Sequence, residues 1–186
     1  MPRNNRPETP RTGRFAKATN GPAGGPPTRR VATPAGGRFE VRIIGGEWRG
    51  RKLHFPPSAG LRPTPDRVRE TVFNWLAPYL PGAACLDLFA GSGAFGFEAL
   101  SRAAARAVLV EKRLEVVAAL RYNREQLKAE QAEIVHADAV EFLRGPAAAF
   151  DIVFLDPPYA SGLLVPCVEL LDARGWLKPG AFIYLE

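Results

Sequence analysis

Two clusters in this chain have residue types and spacing suited to chemistry. The first is Asp156-Pro157-Pro158-Tyr159, directly after the apolar run Phe150 to Leu155. Two successive prolines fix the backbone and remove two N–H donors. Acceptors remain: the Asp156 carboxylate and the Pro157 carbonyl. They suit an amine that donates two N–H bonds, and Tyr159 can stack on a ring held beside them. Enzymes reach base atoms by turning the base out of its stack into such a pocket. An exocyclic amine is a weak nucleophile because its lone pair is delocalised into the ring. Accepting its N–H bonds frees that lone pair, and Asp156 can take up the proton released.

The second cluster is Gly91-Ser92-Gly93-Ala94-Phe95-Gly96, preceded by Asp87 and followed by Glu111. Glycines let a backbone turn tightly and approach a ligand, and the helix that follows offers N–H groups and a positive dipole end. Glu111 can accept bonds from ribose hydroxyls. The same G-x-G-x-x-G spacing fits a dinucleotide such as NAD. Asp87 argues against that, because an acid there opposes a pyrophosphate. It suits the amino acid end of S-adenosylmethionine, which presents an ammonium, a carboxylate and a sulfonium. Asp138 has two readings, an acceptor for an adenine amino group and a helix N-cap, and both can hold. His54 and His136 have no neighbouring ligand cluster, and Cys85 and Cys167 are far apart and in no C-x-x-C pair, so no metal site is expected. No G-x-S-x-G elbow and no Walker lysine occur.

Local patterning predicts the elements that hold these clusters. Phe39 to Ile44 and Arg51 to Phe55 read as a hairpin around Gly45-Gly46. Thr64 reads as an N-cap and Pro65 as the first helical position, with Val68, Val72, Leu76 and Tyr79 recurring at helical spacing. Strands follow at Ala84–Phe89, Ala107–Val110, Ile134–His136, Phe150–Leu155 and Ala181–Leu185. Helices alternate with them from Phe95, Leu114, Ala139 and Leu163. Five such strands imply an α/β fold: a Rossmann-like, doubly wound, mainly parallel sheet behind a small N-terminal hairpin. Ligands then sit beyond the carboxyl ends of the strands, where both clusters fall.

The chain has 186 residues, and 46% are apolar, which is enough for one globular core. No stretch is apolar enough for a bilayer span, and the polar, proline-rich start is no secretory signal. A cytoplasmic protein is expected. Residues 1–38 hold eight Lys/Arg and one acid, residues 39–69 seven and three, and residues 70–186 ten and fifteen. The positive excess therefore lies at the N-terminal end, as in a polyanion-binding arm on an acidic body. Three segments result: a disordered basic tail at 1–38, a basic hairpin at 39–58, and a cofactor-binding domain at 59–186. Arg42, Arg49, Arg51 and Lys52 interleaved with Trp48 form a nucleic-acid surface or an ordinary exposed hairpin.

These motifs resemble the class I S-adenosylmethionine-dependent methyltransferases of the N-methylating branch. Arg42-Ile43-Ile44-Gly45-Gly46, Trp48 to Leu53, Leu61-Arg62-Pro63-Thr64, Asp66 to Thr71, Phe73 to Leu76 and Glu98 to Arg102 narrow the resemblance. With them, residues 40–186 resemble the bacterial RsmD-type 16S rRNA (guanine-N2)-methyltransferases. The resemblance implies methylation of one guanine in the head of the small ribosomal subunit, near the P site, on assembled or partly assembled particles. It implies S-adenosylmethionine held by Asp87, Phe89, Gly91, Gly93, Glu111, Asp138 and Ala139. Asp156, Pro157 and Tyr159 would be catalytic, and Arg49, Arg51, Lys52, Arg62 and Tyr159 would contact RNA, in a monomer that needs neither metal nor membrane. The family's sheet resembles a seven-stranded one closed by a hairpin. Because the sequence stops at Glu186, the resemblance also implies a C-terminally truncated domain with an unpaired edge strand and one open pocket flank. Three rival readings stand beside this one. A DNA adenine-N6 or cytosine-N4 methyltransferase uses similar chemistry but needs more room for sequence readout. An NAD-dependent oxidoreductase would use the same glycine loop. A non-catalytic RNA-binding protein would use only the basic arm.

Overall fold

The computed structural model describes residues 39–57 and 64–186. The basic segment 1–38 and Arg62 lie outside the described residues. Strands β1 (Phe39–Arg42) and β2 (Lys52–Phe55) pair antiparallel. Helix α1 (Asp66–Leu76) and a short 3₁₀ turn lead into alternating strands and helices. These are β3 (Ala84–Asp87), α2 (Ala94–Ser101), β4 (Arg106–Glu111), α3 (Leu114–Leu127), β5 (Ala132–His136), α4 (Ala139–Arg144), β6 (Phe150–Leu155), α5 (Leu164–Ala173) and β7 (Leu177–Leu185). Five strands form one sheet in the order β5-β4-β3-β6-β7, all parallel. The expected doubly wound α/β sheet is therefore present. Its direction of winding reverses between β3 and β6, which opens a crevice at their carboxyl ends.

Apolar side chains cover both faces of the sheet, as a parallel sheet requires. One face buries Val41, Leu53, Phe73, Phe97 and Leu109, contributed by the hairpin, α1, α2 and the sheet. The other buries Leu86, Leu143, Phe150, Leu171 and Trp176 beneath α4 and α5. Buried Trp176 directs its indole N–H to the Leu143 carbonyl at 3.0 Å.

The structure moves several expected boundaries. Thr64 does not cap α1: the position before the helix is Pro65, extended at ψ 144°, and no side chain caps it. Of the residues expected at helical spacing, Val72 and Leu76 are buried, while Val68 and Tyr79 are exposed. The buried face is completed by Phe73 and by Arg69, which is 0% exposed. Strand β7 starts at Leu177 rather than Ala181, with a register irregularity opposite Phe150 and Ile152. β6 is its one partner strand among the described residues.

Strand β1 ends at Arg42 rather than Ile44: Ile43 still bonds across the hairpin to Arg51 and Gly50, but the two amides after it turn to a side chain. Glu98, 0% exposed on α2, accepts Ile44 N–H at 2.7 Å and Gly45 N–H at 2.8 Å. The Arg102 guanidinium donates to the same carboxylate at 2.7 Å, and Arg69 lies 3.8 Å from it. Ser101 adds bonds to Glu47 N–H, Trp48 N–H and the Gly45 carbonyl. Gly46 sits at φ +76°, and a Cβ there would come 1.8 Å from the Ser101 carbonyl oxygen. Only glycine fits that approach. Removing one partner of a buried ion pair costs about 3–5 kcal/mol, because the remaining charges lose their compensation. Glu98→Ala is therefore expected to lower unfolding free energy by about that amount in denaturant titrations. Glu98→Gln, which keeps one acceptor oxygen, should lose less.

Candidate active site

A cleft of about 710 Å³ lies over the carboxyl ends of β3, β4 and β6. Of the residues expected to hold a cofactor, Phe89, Gly91, Glu111, Asp138 and Ala139 line it. Asp156, Pro157 and Tyr159 line the same cleft. The two sequence clusters, 65 residues apart from Gly91 to Asp156, thus share one space. This follows from the topology: β3 and β6 are neighbours, and each cluster follows its own strand.

Asp87 and Gly93 are not among the lining residues. Asp87 is buried beneath the glycine loop, where its carboxylate accepts the Gly96 N–H at 3.0 Å. A carboxylate therefore meets the positive end of α2 from inside the protein. Gly93, at φ +77°, is closely packed. A Cβ there would stand 2.7 Å from both Phe97 and Leu120. Glu111 braces the loop by accepting Gly91 N–H at 3.1 Å and Arg113 N–H at 2.9 Å. Asp138 caps α4 through Oδ1, which accepts Val140 N–H at 3.0 Å. Its other oxygen has no bond among the described residues.

Asp156 shares the carboxyl end of the sheet with two residues that local sequence did not single out for chemistry. The Thr64 hydroxyl donates to Glu186 at 3.1 Å and lies close to Asp156. The Tyr184 hydroxyl donates to Glu186 at 2.8 Å. Burial pushes the Asp156 carboxyl up to about 6, and the nearby Glu186 charge adds to this, while Thr64 pulls the other way. Phe95 lines the cleft too, with its ring 5.0 Å from Phe154 and 5.1 Å from Tyr184. Tyr159 is fully exposed at the cleft mouth. The resemblance puts Arg62 and Thr64 at the mouth of the site without a role, and Thr64 does line the cleft; its bond to Glu186 spans 122 residues, so no local pattern could reveal that partner.

The expected RNA-contacting residues are not brought together. Arg49 is exposed on the hairpin loop, and Arg51 donates to the Gln126 carbonyl at 2.7 Å. That loop bonds Ser101 at the end of α2 and Gln126 at the end of α3. Both helices run back against the strands, so the loop lies at the edge of the sheet opposite the cleft. Lys52 pairs with Glu40 at 2.6 Å and borders a smaller groove with Arg42 and Asp66. Thr64 lines both groove and cleft. Among the described residues no cluster of three or more His, Cys, Asp or Glu side chains is set to hold a metal, and no helix is long and apolar enough to cross a membrane.

Burial pushes Asp87 up from 3.8 to about 7; Asp156 and Glu111 add repulsion, and the Gly96 N–H opposes the shift. The folded protein therefore retains a proton that the unfolded chain releases near pH 3.8. The stabilisation this gives is complete below that value and is lost as pH rises toward about 7. Asp87→Asn keeps an acceptor for Gly96 without the buried charge. Its ligand-free stability relative to wild type is expected to improve steadily from about pH 4 to pH 7 and then level off, as unfolding curves across that range would register.

Comparison with known proteins agrees with this geometry. A family model described as "Conserved hypothetical protein 95" matches residues 41–186. The chain is 54% identical over 150 residues to ribosomal RNA small subunit methyltransferase D of Escherichia coli K12, covering 81% of this chain and 76% of that one. It is 49% identical over 162 residues to the protein of the same name from Haemophilus influenzae, covering 85% and 83%. A solved Escherichia coli chain superposes with TM-score 0.73 at 53% identity, over 79% of this chain and 81% of that one. A Thermus thermophilus structure does so with TM-score 0.70 at 38% identity, over 78% and 84%. With the hairpin, the glycine loop and the Asp-Pro-Pro-Tyr turn in the arrangement described, this chain belongs to the ribosomal RNA small subunit methyltransferase D family.

Proposed function

We propose that this protein transfers a methyl group from S-adenosylmethionine to the exocyclic N2 amine of a guanine in 16S rRNA, within the small ribosomal subunit or its assembly intermediates, in the cytoplasm. The observation that carries this reading is the single cleft that joins the glycine loop to the acceptor-rich turn at Asp156. The names of the relatives support the RNA substrate, and the resemblance of the hairpin and Arg-Pro-Thr segments supports guanine N2.

The lining fits that cofactor better than it fits a dinucleotide. The buried Asp87 carboxylate at the start of α2 would repel a pyrophosphate and tolerates an ammonium or a sulfonium. Glu111, and the Asp138 oxygen left over from capping α4, are acceptors for ribose hydroxyls and an adenine amino group. Phe89 and Ala139 give the cleft apolar walls, and Gly91 keeps its loop thin. When bound, S-adenosylmethionine supplies a methyl group on a positively charged sulfur, which is already activated. The chain's task is then orientation and proton uptake, and orientation alone can contribute roughly 7–11 kcal/mol of a barrier.

Asp156 and the Pro157 carbonyl are the acceptors for the two N–H bonds of the amine. They hold its nitrogen lone pair toward the cofactor side of the cleft. Asp156 accepts the proton the amine sheds. Tyr159, exposed at the mouth, is a stacking surface for the base. Arg49, Arg51 and Lys52 would contact RNA phosphate away from the reacting base, as positioning contacts.

The test combines labelled S-adenosylmethionine with small subunits from a strain lacking this modification, followed by mass spectrometry of the nucleosides. N2-methylguanosine is the expected product, and any other methylated nucleoside would overturn the assignment. Asp156→Ala should reduce transfer by roughly 10²–10⁴-fold with cofactor binding retained. Asp156 must be ionised to accept, and its carboxyl stands at about 6. The rate should therefore hold above that pH and fall about tenfold per unit below it, as a pH–rate profile on intact particles would record.

A further inference from the structure

We propose that Glu186 accepts the N1–H of the target guanine beside Asp156, which makes it a residue that selects guanine over adenine and cytosine. The inference rests on the guanine N2 reading above and assigns a second contact in that site.

The juxtaposition is set by the sheet. β6 and β7 are neighbouring parallel strands in which Leu155 pairs with Leu185. Glu186 N–H donates to the Leu155 carbonyl at 3.1 Å. The next residues, Asp156 and Glu186, therefore leave adjacent strand ends, about 4.8 Å apart in a sheet, and both line the cleft. The Thr64 hydroxyl donates to Glu186 at 3.1 Å and lies close to Asp156. Thr64 and Tyr184 both donate to Oε2 of Glu186. Its Oε1 has no bond among the described residues, and the residue is exposed to the cleft. A carboxylate fixed through one oxygen presents the other to a ligand.

Base chemistry identifies that ligand. Each base with an exocyclic amine presents it beside a ring nitrogen. In guanine the N2 amine stands next to N1–H, a donor. In adenine the N6 amine stands next to N1, an acceptor, and in cytosine the N4 amine stands next to N3, also an acceptor. Asp156 and Pro157 accept from an amine and cannot tell these three apart. A second carboxylate beside them finds a donor only on guanine. Against adenine or cytosine it would face a lone pair, and a carboxylate has no proton to offer it. Sites built to bond a polar group reject analogues that lack it far more strongly than apolar pockets reject an extra or missing carbon. Thr64 is a positioning residue here, acting through Glu186.

The experiment uses small subunits reconstituted with 16S rRNA carrying guanine, 1-deazaguanine or 2,6-diaminopurine at the methylated position. All three keep the 2-amine. 1-Deazaguanine replaces N1–H with C–H, and 2,6-diaminopurine presents an acceptor at N1. Wild type is expected to methylate both analogues about 10- to 100-fold more slowly than guanine, the range for a lost charge-assisted hydrogen bond. Glu186→Gln should lose a similar factor on guanine. It should gain on 2,6-diaminopurine, because the amide can donate to N1, so the preference narrows or reverses while cofactor affinity is unchanged. A structural defect would lower all three substrates together. Equal wild-type rates on guanine and 1-deazaguanine would overturn the proposal even if the variant fails to fold, as would a Glu186→Gln preference identical to wild type. Absence of N2-methylguanosine from unmodified particles would instead sink the underlying reading, and this contact with it.

Discussion

A carboxylate sealed from water ties the two sheets of this protein together. Glu98 has the amides of Ile44 and Gly45 on one side and the guanidinium groups of Arg102 and Arg69 on the other. A buried charge is tolerated only when its lone pairs are satisfied and its charge is compensated. The hairpin, α1 and α2 must therefore all be in place together. Arg69 extends the same network by donating to the Arg42 carbonyl and to Asp66. Arg102 also lies over the Phe73 ring, 5.2 Å from its centroid, so the ionic cluster rests directly on the apolar core.

That arrangement has a consequence for the cleft. Helix α2 carries Glu98 and Ser101 toward its far end and the glycine loop at its start. Whatever fixes the far end also fixes the direction in which the loop opens. Asp87 secures the near end by taking the Gly96 N–H. Two buried acids thus pin one short helix, one to the hairpin and one to the sheet. A helix of 8 residues has little stability of its own, so the tertiary contacts set its position.

The cleft gathers acids at the strand ends: Asp87 beneath it, Glu111 and Asp138 on one side, and Asp156 and Glu186 on the other. Burial and mutual repulsion keep two of them partly protonated near neutral pH. Such a site favours cationic ligands and hydrogen-bond donors over phosphate. Lys112 and Arg113 also border it, with Arg113 held against Glu111. Under the proposed function, phosphate contacts to RNA would fall outside the cleft, on basic side chains such as those of the hairpin.

Much of this was legible in the chain itself. Helical and strand periodicity are local, so the alternation of β3 to β7 with their helices could be read, and α3 and β6 run over the residues expected. The strand–glycine–helix turn and the Asp-Pro-Pro-Tyr turn carry their own backbone constraints, and parallel winding puts both at one edge of the sheet. What sequence could not determine is whatever joins distant segments. The bonds from Ile44 to Glu98 and from Thr64 to Glu186 span 54 and 122 residues. Thr64 looked like a helix cap because threonine before a helix often is one, yet tertiary structure offered its hydroxyl the Glu186 carboxylate instead. Arg69 was hidden by its charge, since only a buried partner permits a guanidinium in the core. Arg49 and Arg51 read as a nucleic-acid surface with no stated position, and only the docking of the hairpin on the ends of α2 and α3 set them apart from the cleft. Local physics chose the elements and the chemistry at their ends; long-range packing decided which side chains face that chemistry, because burial and hydrogen-bond partners exist only once the segments meet.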